Sequence, residues 1–181
     1  DTKQKRFPGP RARAQKEAPL GETETGHDHV PSGAFELLEP VEAEPTGRAA
    51  GIKVLLVDDE DQLRRVMRDL LEREGYKVSE AGDGVEALDQ VDRHAPDIIV
   101  LDLNLPGLDG YGVLSHLRSR QATEDIPVVV LTARGDEDAE VRVFELGADD
   151  YLSKPFRARA LSARLQAVLA RARGISPRRD L

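Results

Sequence analysis

From residue 52 onward, apolar positions along the chain follow two alternating patterns. Short continuous runs of Val, Ile and Leu are typical of buried strands, and apolar residues three or four positions apart are typical of amphipathic helices. Strand-like runs occupy residues 52–57, 76–79, 97–101, 126–131 and 150–153. Helical patterns occupy residues 61–74, 84–94, 111–118, 136–146 and 157–171. The sequence therefore predicts strands and helices in strict alternation.

This alternation favours a single α/β domain built from residues 52–173. It predicts a doubly wound, five-stranded parallel sheet with five helices on its two faces and right-handed crossovers. The stretch is long enough to bury the core of one such domain. In sheets of this kind, ligands bind beyond the carboxyl ends of the strands, where the strand order reverses.

Residues 1–51 differ from the rest of the chain in composition. They contain few apolar side chains, no periodic pattern, and many Pro, Gly, Glu and Thr residues. Such a segment buries too little apolar surface to offset its ordering entropy, so we predict a largely disordered tail or linker. Its apolar patch at residues 35–38 is interpreted as either a short docking helix or a turn. Residues 174–181 are predicted to be a C-terminal tail.

Charge and composition limit the classes of partner. The net charge of −8 argues against general affinity for nucleic acid, so we expect no direct nucleic-acid contact. The absence of cysteine excludes disulfides and thiolate metal sites. No apolar run approaches the ~20 residues that span a bilayer. We therefore expect a soluble, cytoplasmic protein without membrane contact.

Polar residues follow four of the predicted strands, at the point where each strand ends. These residues are Asp58, Asp59, Asp102, Thr132 and Lys154. Because the carboxyl ends of parallel strands meet at one edge of a sheet, we expect these side chains to lie close together. Three acids, a hydroxyl and an ammonium are suited to binding a divalent cation and a phosphoryl group.

Each of these residues also has a structural interpretation. Asp58 and Asp59 are suited to capping the helix that follows them. Asp102 precedes a Pro-Gly turn and is an ordinary turn residue by that reading. Thr132 and Lys154 are typical of loops at strand ends. It is the joint placement of all five residues that favours a functional site.

Four short motifs resemble the receiver domain of two-component response regulators. They are residues 57–60 (VDDE), 102–110 (DLNLPGLDG), 131–133 (LTA) and 147–156 (GADDYLSKPF). The resemblance covers residues 52–173, about two thirds of the chain. It implies a flavodoxin-like sheet with strand order 2-1-3-4-5. It also implies a cis peptide bond between Lys154 and Pro155.

The resemblance further implies the chemistry of the site. Asp102 would accept a phosphoryl group from a phosphohistidine, supplied by a sensor histidine kinase or a phosphotransfer protein. Mg²⁺ would be the cofactor. Asp59 and Asp102 would bind it directly, Asp58 mainly through water, and the backbone carbonyl of Asn104 would complete the protein ligands. Lys154 and Thr132 would contact the phosphoryl group.

Switching is implied through Thr132 and Tyr151, which match the hydroxyl and aromatic switch positions of the family. The surface that changes would comprise the fourth helix, fifth strand and fifth helix. On that surface the resemblance suggests a symmetric homodimer with paired charges, although Ala160 replaces a usual acid. The charged residues concerned are Glu145, Asp150, Arg164 and Arg171. A long basic side chain at Arg134 would shield the acyl phosphate, so we expect slow self-dephosphorylation.

Two other functions remain open on these residues. A pseudo-receiver would use the same fold as a phosphorylation-independent interaction module, which the complete set of site residues disfavours. A phosphohydrolase with an aspartate nucleophile would need a second acid two residues after Asp102, where the chain has Asn104. The output is expected to be a partner protein, a dimer or a tethered domain. The chain does not begin with Met, so it is expected to be a processed form or a piece of a longer protein. A stand-alone regulator with an N-terminal tail is the alternative.

Overall fold

The computed structural model describes residues 35–36 and 49–174, in which one sheet is flanked by helices. The strands are β1 (Lys53–Val57), β2 (Lys77–Ala81), β3 (Ile98–Asp102), β4 (Val128–Ala133) and β5 (Asp150–Lys154). The helices are α1 (Asp61–Arg73), α2 (Gly84–His94), α3 (Gly110–Ser119), α4 (Glu137–Glu145) and α5 (Ala158–Ala172). Among the described residues, strands and helices alternate as predicted.

The sheet has the order β2-β1-β3-β4-β5, and every neighbouring pair of its strands is parallel. The predicted order 2-1-3-4-5 is therefore confirmed. The order reverses at β1, because the chain first moves outward to β2 and then returns to place β3 on the other side of β1. The carboxyl ends of β1 and β3 consequently lie side by side at the reversal.

The core consists of two apolar layers, one on each face of the sheet. Successive residues of β1 point to opposite faces: Leu56 belongs to the layer under α1 and α5, and Leu55 to the layer under α2, α3 and α4. All five residues of β3 are buried, which explains its continuous apolar sequence. Asp102 is the last residue of this strand, so its carboxylate is carried by a strand that packs on both faces.

β2 extends two residues beyond its predicted end at Ser79. Its five residues pair with all of β1, from Lys53 opposite Lys77 to Val57 opposite Ala81. Glu80 is charged and does not fit an apolar strand pattern, so the sequence did not predict this extension. Arg64 and Arg68, both on α1, bind the Glu80 carboxylate at 3.2 and 2.8 Å and so neutralise a charge within the strand.

Aspartate side chains cap three of the helices. Asp83, Asp109 and Asp136 each accept a hydrogen bond from a backbone N–H in the first turn of the helix that follows. α1 differs, because its N-cap residue is Glu60 and makes no side-chain cap hydrogen bond. The interpretation of Asp58 and Asp59 as a helix cap is therefore wrong.

A short strand pair lies outside the main sheet. The backbone of Phe35–Glu36 pairs in parallel with Phe156–Arg157, which directly precede α5. The interpretation of residues 35–38 as a helix or turn is wrong for these two residues. The rest of the predicted tail before Ala49, and the C-terminal tail after Gly174, lie outside the described residues. Within the described part of the chain, no helix has both the length and the apolar character to cross a bilayer.

Candidate functional site

Three carboxylates meet where the strand order reverses. One oxygen from each of Asp58, Asp59 and Asp102 lies within 4.8 Å of the others. Asp58 and Asp102 are buried, whereas Asp59 is exposed. Asp102 is the last residue of β3 and Asp58 directly follows the neighbouring strand β1, so the register of the sheet fixes their separation. The three carboxylates therefore lie close together, as predicted.

Lys154 places its ammonium group between the two buried acids. The ammonium donates to Asp58 Oδ2 at 3.0 Å and to Asp102 Oδ2 at 3.1 Å. The side chain of Lys154 is 19% exposed, so these contacts are only partly screened by solvent. The Lys154-Pro155 peptide is cis, as the resemblance implied.

Asp58 is held through every polar group that it carries. Its backbone N–H donates to Ala81 O at 3.1 Å, and its Oδ1 accepts from the Glu60 N–H at 2.9 Å. Its carbonyl oxygen accepts from Arg64 Nη1 at 2.6 Å, and its Oδ2 binds Lys154. These four contacts fix the position of Asp58 in the site.

The pKa of Asp102 is raised to about 6. Burial is the largest cause, because it disfavours the charged form, and the neighbouring Asp58 carboxylate adds to the effect. Lys154 and the backbone N–H of Asn104, which donates to Asp102 Oδ1 at 3.2 Å, act in the opposite direction. Burial alone would lower the pKa of Lys154, but the charges of Asp58 and Asp102 outweigh it and raise that pKa above its ordinary value.

The loop after Asp102 is shaped by a close backbone approach at Gly110. The Gly110 N–H donates to Leu103 O at 3.0 Å, and a Cβ at this position would collide with the carbonyl oxygen of Asp102. Only glycine lets the start of α3 pack this closely against the end of β3. Asn104 is exposed in this loop, next to the acids.

The two predicted switch residues are linked through side chains on β5 and α4. Thr132 is buried, and its Oγ1 lies 3.5 Å from Ser153 Oγ, which is in turn 3.5 Å from Glu140 Oε1. A hydrogen bond to the same Glu140 raises the pKa of the Tyr151 hydroxyl. The Tyr151 ring also contacts the ring of Phe144 edge-on, with 5.5 Å between centroids. Glu140 thus holds both β5 side chains toward α4.

Three of the four charged residues of the predicted dimer surface form an ion-pair group within the chain: Asp150, Arg164 and Arg171. Arg164 Nη1 donates to both oxygens of Asp150 at 3.1 Å, and Arg171 lies 3.9 Å from the same carboxylate. Val141 and Phe144 on α4 are exposed apolar residues beside these charges. A symmetric dimer would have to exchange some of these ion pairs, and dimerisation stays a prediction.

Sequence reasoning missed three residues around the site: Arg64, Ser153 and Glu140. Arg64 contacts the backbone of Asp58, and Glu140 contacts a side chain on β5. These contacts join residues that no local motif connects, so the sequence carries no pattern for them. The i, i+3 spacing of Asp61 and Arg64 is the single local signal, and it predicts a surface ion pair only.

The donor set fits a divalent cation. Three carboxylates and one ammonium leave a net charge of −2 when all are ionised. Mg²⁺ prefers hard oxygen ligands and is usually held by one or two carboxylates with waters. The raised pKa of Asp102 shows that burial and the Asp58 carboxylate together outweigh the Lys154 ammonium. A cation that neutralises the acids would remove this cost.

A doubly wound sheet with three acids and a lysine at the carboxyl ends of its strands is the arrangement expected of a signalling receiver domain. The family model described as response regulator receiver domain matches residues 54–166. The chain belongs to the response regulator receiver family.

Relatives of known role support this assignment. The chain is 45% identical over 125 residues to the phosphate regulon transcriptional regulatory protein PhoB of Escherichia coli, covering 69% of this chain and 53% of PhoB. It is 43% identical over 129 residues to the alkaline phosphatase synthesis transcriptional regulatory protein PhoP of Bacillus subtilis, covering 71% and 53%. The structure of the chemotaxis response regulator CheY4 of Vibrio cholerae superimposes with a TM-score of 0.63 at 31% identity, covering 66% and 99%. The chain spans about half the length of the curated relatives it matches.

The expectation of no direct nucleic-acid contact is wrong. PhoB and PhoP are both named as transcriptional regulatory proteins. The expectation rested on the net charge of −8, which describes only this chain. It carries no information on the half of each relative that the chain does not match.

Proposed function

We propose that this receiver accepts a phosphoryl group on Asp102 from the phosphohistidine of a sensor histidine kinase or a phosphotransfer protein. The observation that carries the proposal is the position of Asp102 Oδ2, 3.1 Å from the Lys154 ammonium and beside two further acids. An acid with these neighbours has both a cation to orient the incoming phosphoryl oxygens and a site for a metal ion.

In the transfer, a carboxylate oxygen of Asp102 forms a bond to phosphorus as the P–N bond of the phosphohistidine breaks. The electron pair of that bond returns to the imidazole nitrogen, and an acyl phosphate remains on Asp102. Lys154 donates hydrogen bonds to the phosphoryl oxygens, and Thr132 holds one of them after transfer. Asp58, Asp59 and the Asn104 carbonyl would hold the cation together with Asp102. Bound Mg²⁺ would offset the charge of the carboxylates and the phosphoryl group.

Phosphorylation would switch the protein by competing for the hydroxyl of Thr132. This hydroxyl is 3.5 Å from Ser153 Oγ, a long contact that a charged phosphoryl oxygen can displace. Loss of that contact would loosen Ser153 from Glu140 and free Tyr151 to turn inward. The phosphoryl group shifts the population only by its different interaction with the two states, so some active form exists without it. The changed face of α4, β5 and α5 would control a partner, a dimer or a tethered domain.

The test is the intact mass of the protein after incubation with acetyl phosphate and Mg²⁺. We expect one added phosphoryl group, absent without Mg²⁺ and absent in Asp102→Asn. Asp125→Asn, which removes an exposed acid after α3, is the matched control and should be labelled like the wild type. No adduct on the wild type under any of these conditions would overturn the proposal and favour the pseudo-receiver.

The lifetime of the acyl phosphate should depend on Arg134, which is exposed directly after β4. If Arg134 shields the phosphoryl group from water, Arg134→Ala should hydrolyse about threefold faster, the effect of a surface charge contact worth roughly 0.5–1 kcal/mol. Phosphorylated protein freed of donor would be followed by intact mass over time. Arg65→Ala, on the exposed face of α1, is the control. Equal half-lives for wild type and Arg134→Ala would contradict the shielding role.

A further inference from the structure

Arg64 is the one basic residue besides Lys154 that the described contacts place against the acids at the sheet reversal. It lies in the first turn of α1, with a side chain only 16% exposed. Its three nitrogens make three separate contacts. Nη1 donates to the carbonyl oxygen of Asp58 at 2.6 Å, Nη2 to Asp61 Oδ1 at 2.7 Å and Nε to Glu80 Oε1 at 3.2 Å.

The contact with Asp58 is made to its carbonyl and leaves its carboxylate free for Lys154. That carbonyl belongs to the peptide that joins Asp58 to Asp59. A peptide unit is planar, so fixing the direction of its oxygen fixes the orientation of the whole unit. The orientation in turn fixes the N–Cα bond of Asp59, from which its side chain projects. Asp59 is exposed, so packing alone does not hold its carboxylate toward Asp102.

The other two contacts of Arg64 hold the guanidinium in place. Glu80 on β2 and Asp61 on α1 bind its Nε and Nη2, so the planar group is fixed from two elements. These two carboxylates also offset the positive charge of Arg64. The guanidinium can therefore sit next to an acidic site without acting as a strong competitor for a cation.

We propose that Arg64 is a positioning residue of the cation site, which orients the peptide between Asp58 and Asp59 and thereby directs the Asp59 carboxylate toward Asp102. The inference rests on the cation site of the proposed function. A positioning role and simple electrostatics predict opposite changes in Mg²⁺ affinity when Arg64 is replaced. Removing a positive charge beside an acidic site should tighten cation binding, whereas removing a positioning group should weaken it.

The experiment is a titration of the full chain with Mg²⁺, followed by backbone amide NMR shifts around residues 57–60 and 102–104. Arg64→Ala should raise the Mg²⁺ dissociation constant roughly tenfold, the lower end of the range for groups that orient metal ligands. Arg68→Ala is the matched control. Arg68 lies on the same helix as Arg64 and binds Glu80 at 2.8 Å, but it has no described contact with Asp58. Its Mg²⁺ affinity should equal that of the wild type or be slightly higher.

Arg64→Lys separates geometry from charge. It keeps the positive charge, but a single ammonium cannot hold the carbonyl of Asp58 and both carboxylates as the guanidinium does. Weaker Mg²⁺ binding in this variant therefore reports on position alone, and it decides the matter if Arg64→Ala does not fold. Unchanged affinity in Arg64→Lys, or unchanged or tighter binding in a folded Arg64→Ala, would overturn the inference.

Failure of this inference is distinguishable from failure of the proposed function. If the wild type shows no Mg²⁺-dependent shifts around residues 57–60 and 102–104, the cation site itself is wrong. If the wild type binds Mg²⁺ and the Arg64 variants bind it equally well, only the positioning role is wrong.

Discussion

Lys154→Met is expected to lower the unfolding free energy of the metal-free protein by about 3 kcal/mol at pH 7.5, the low end for removing one partner of a buried ion pair. Lys154 is the one described cation in contact with the carboxylates of both Asp58 and Asp102, at 3.0 and 3.1 Å. Methionine preserves the length of the side chain and removes the charge. Two buried carboxylates would then repel each other without compensation.

Urea unfolding in the presence of a chelator measures this effect. The loss should shrink toward pH 4.5, because Asp102, with a pKa of about 6, is then mostly protonated and needs no partner. Lys77→Met, at an exposed position on β2, is the control and should change stability little. A Lys154→Met protein as stable as the wild type at pH 7.5 would mean that the ammonium does not compensate the acids.

Mg²⁺ should restore much of the stability that Lys154→Met loses. A cation that binds only the folded state stabilises it by mass action. The variant should therefore gain more from saturating Mg²⁺ than the wild type gains, since the wild type already has a cation between its acids. Phosphorylation would still be impaired, because the proposed contact between Lys154 and the phosphoryl oxygens is absent.

The fold was largely predictable because its signals are local. β3 is apolar at every position before Asp102 and buried on both faces, and the long helices carry a clear periodic pattern. β2 was predicted too short, because its pairing with all of β1 depends on a neighbour and on two arginines that neutralise Glu80. The strand at Phe35–Glu36 was missed for the same reason, since its partner lies about 120 residues later.

The acids and the lysine of the site were predictable because parallel strands place their carboxyl ends at one edge. Their roles came from resemblance. The sequence could not reveal the groups that hold them. Arg64 reaches the carbonyl of Asp58, and Glu140 links Ser153 to Tyr151. Such contacts depend on how helices settle against the sheet, and no spacing rule encodes them.

Asp102→Asn is expected to make the metal-free protein more stable than the wild type at neutral pH, although it removes the proposed phosphoacceptor. The pKa of Asp102 is about 6 in the folded protein, against an ordinary value of 3.8. An acid whose pKa is raised by folding binds its proton more tightly when folded. Its ionisation therefore costs stability, and this cost grows as the pH rises from about 4 to about 6 and is constant above that.

The size of the gain in unfolding free energy follows from the shift in the pKa of Asp102. Asparagine cannot ionise and can still accept the hydrogen bond from Lys154, so it avoids the cost at every pH. The gain over the wild type should be about 3 kcal/mol at pH 7.5 and about 1 kcal/mol at pH 4.5. Urea unfolding of both proteins in chelator at the two pH values measures it. A gain that is equal at both pH values would show that Asp102 has an ordinary pKa.

Mg²⁺ should reduce the stability advantage of Asp102→Asn over the wild type. The wild type binds the cation through the charged Asp102 and should be stabilised, whereas Asp102→Asn has lost one charged ligand and should gain less. At saturating Mg²⁺ the difference at pH 7.5 should therefore shrink or change sign. An undiminished advantage of Asp102→Asn in Mg²⁺ would mean that the cation does not bind through Asp102, and the proposed transfer chemistry would lose its support.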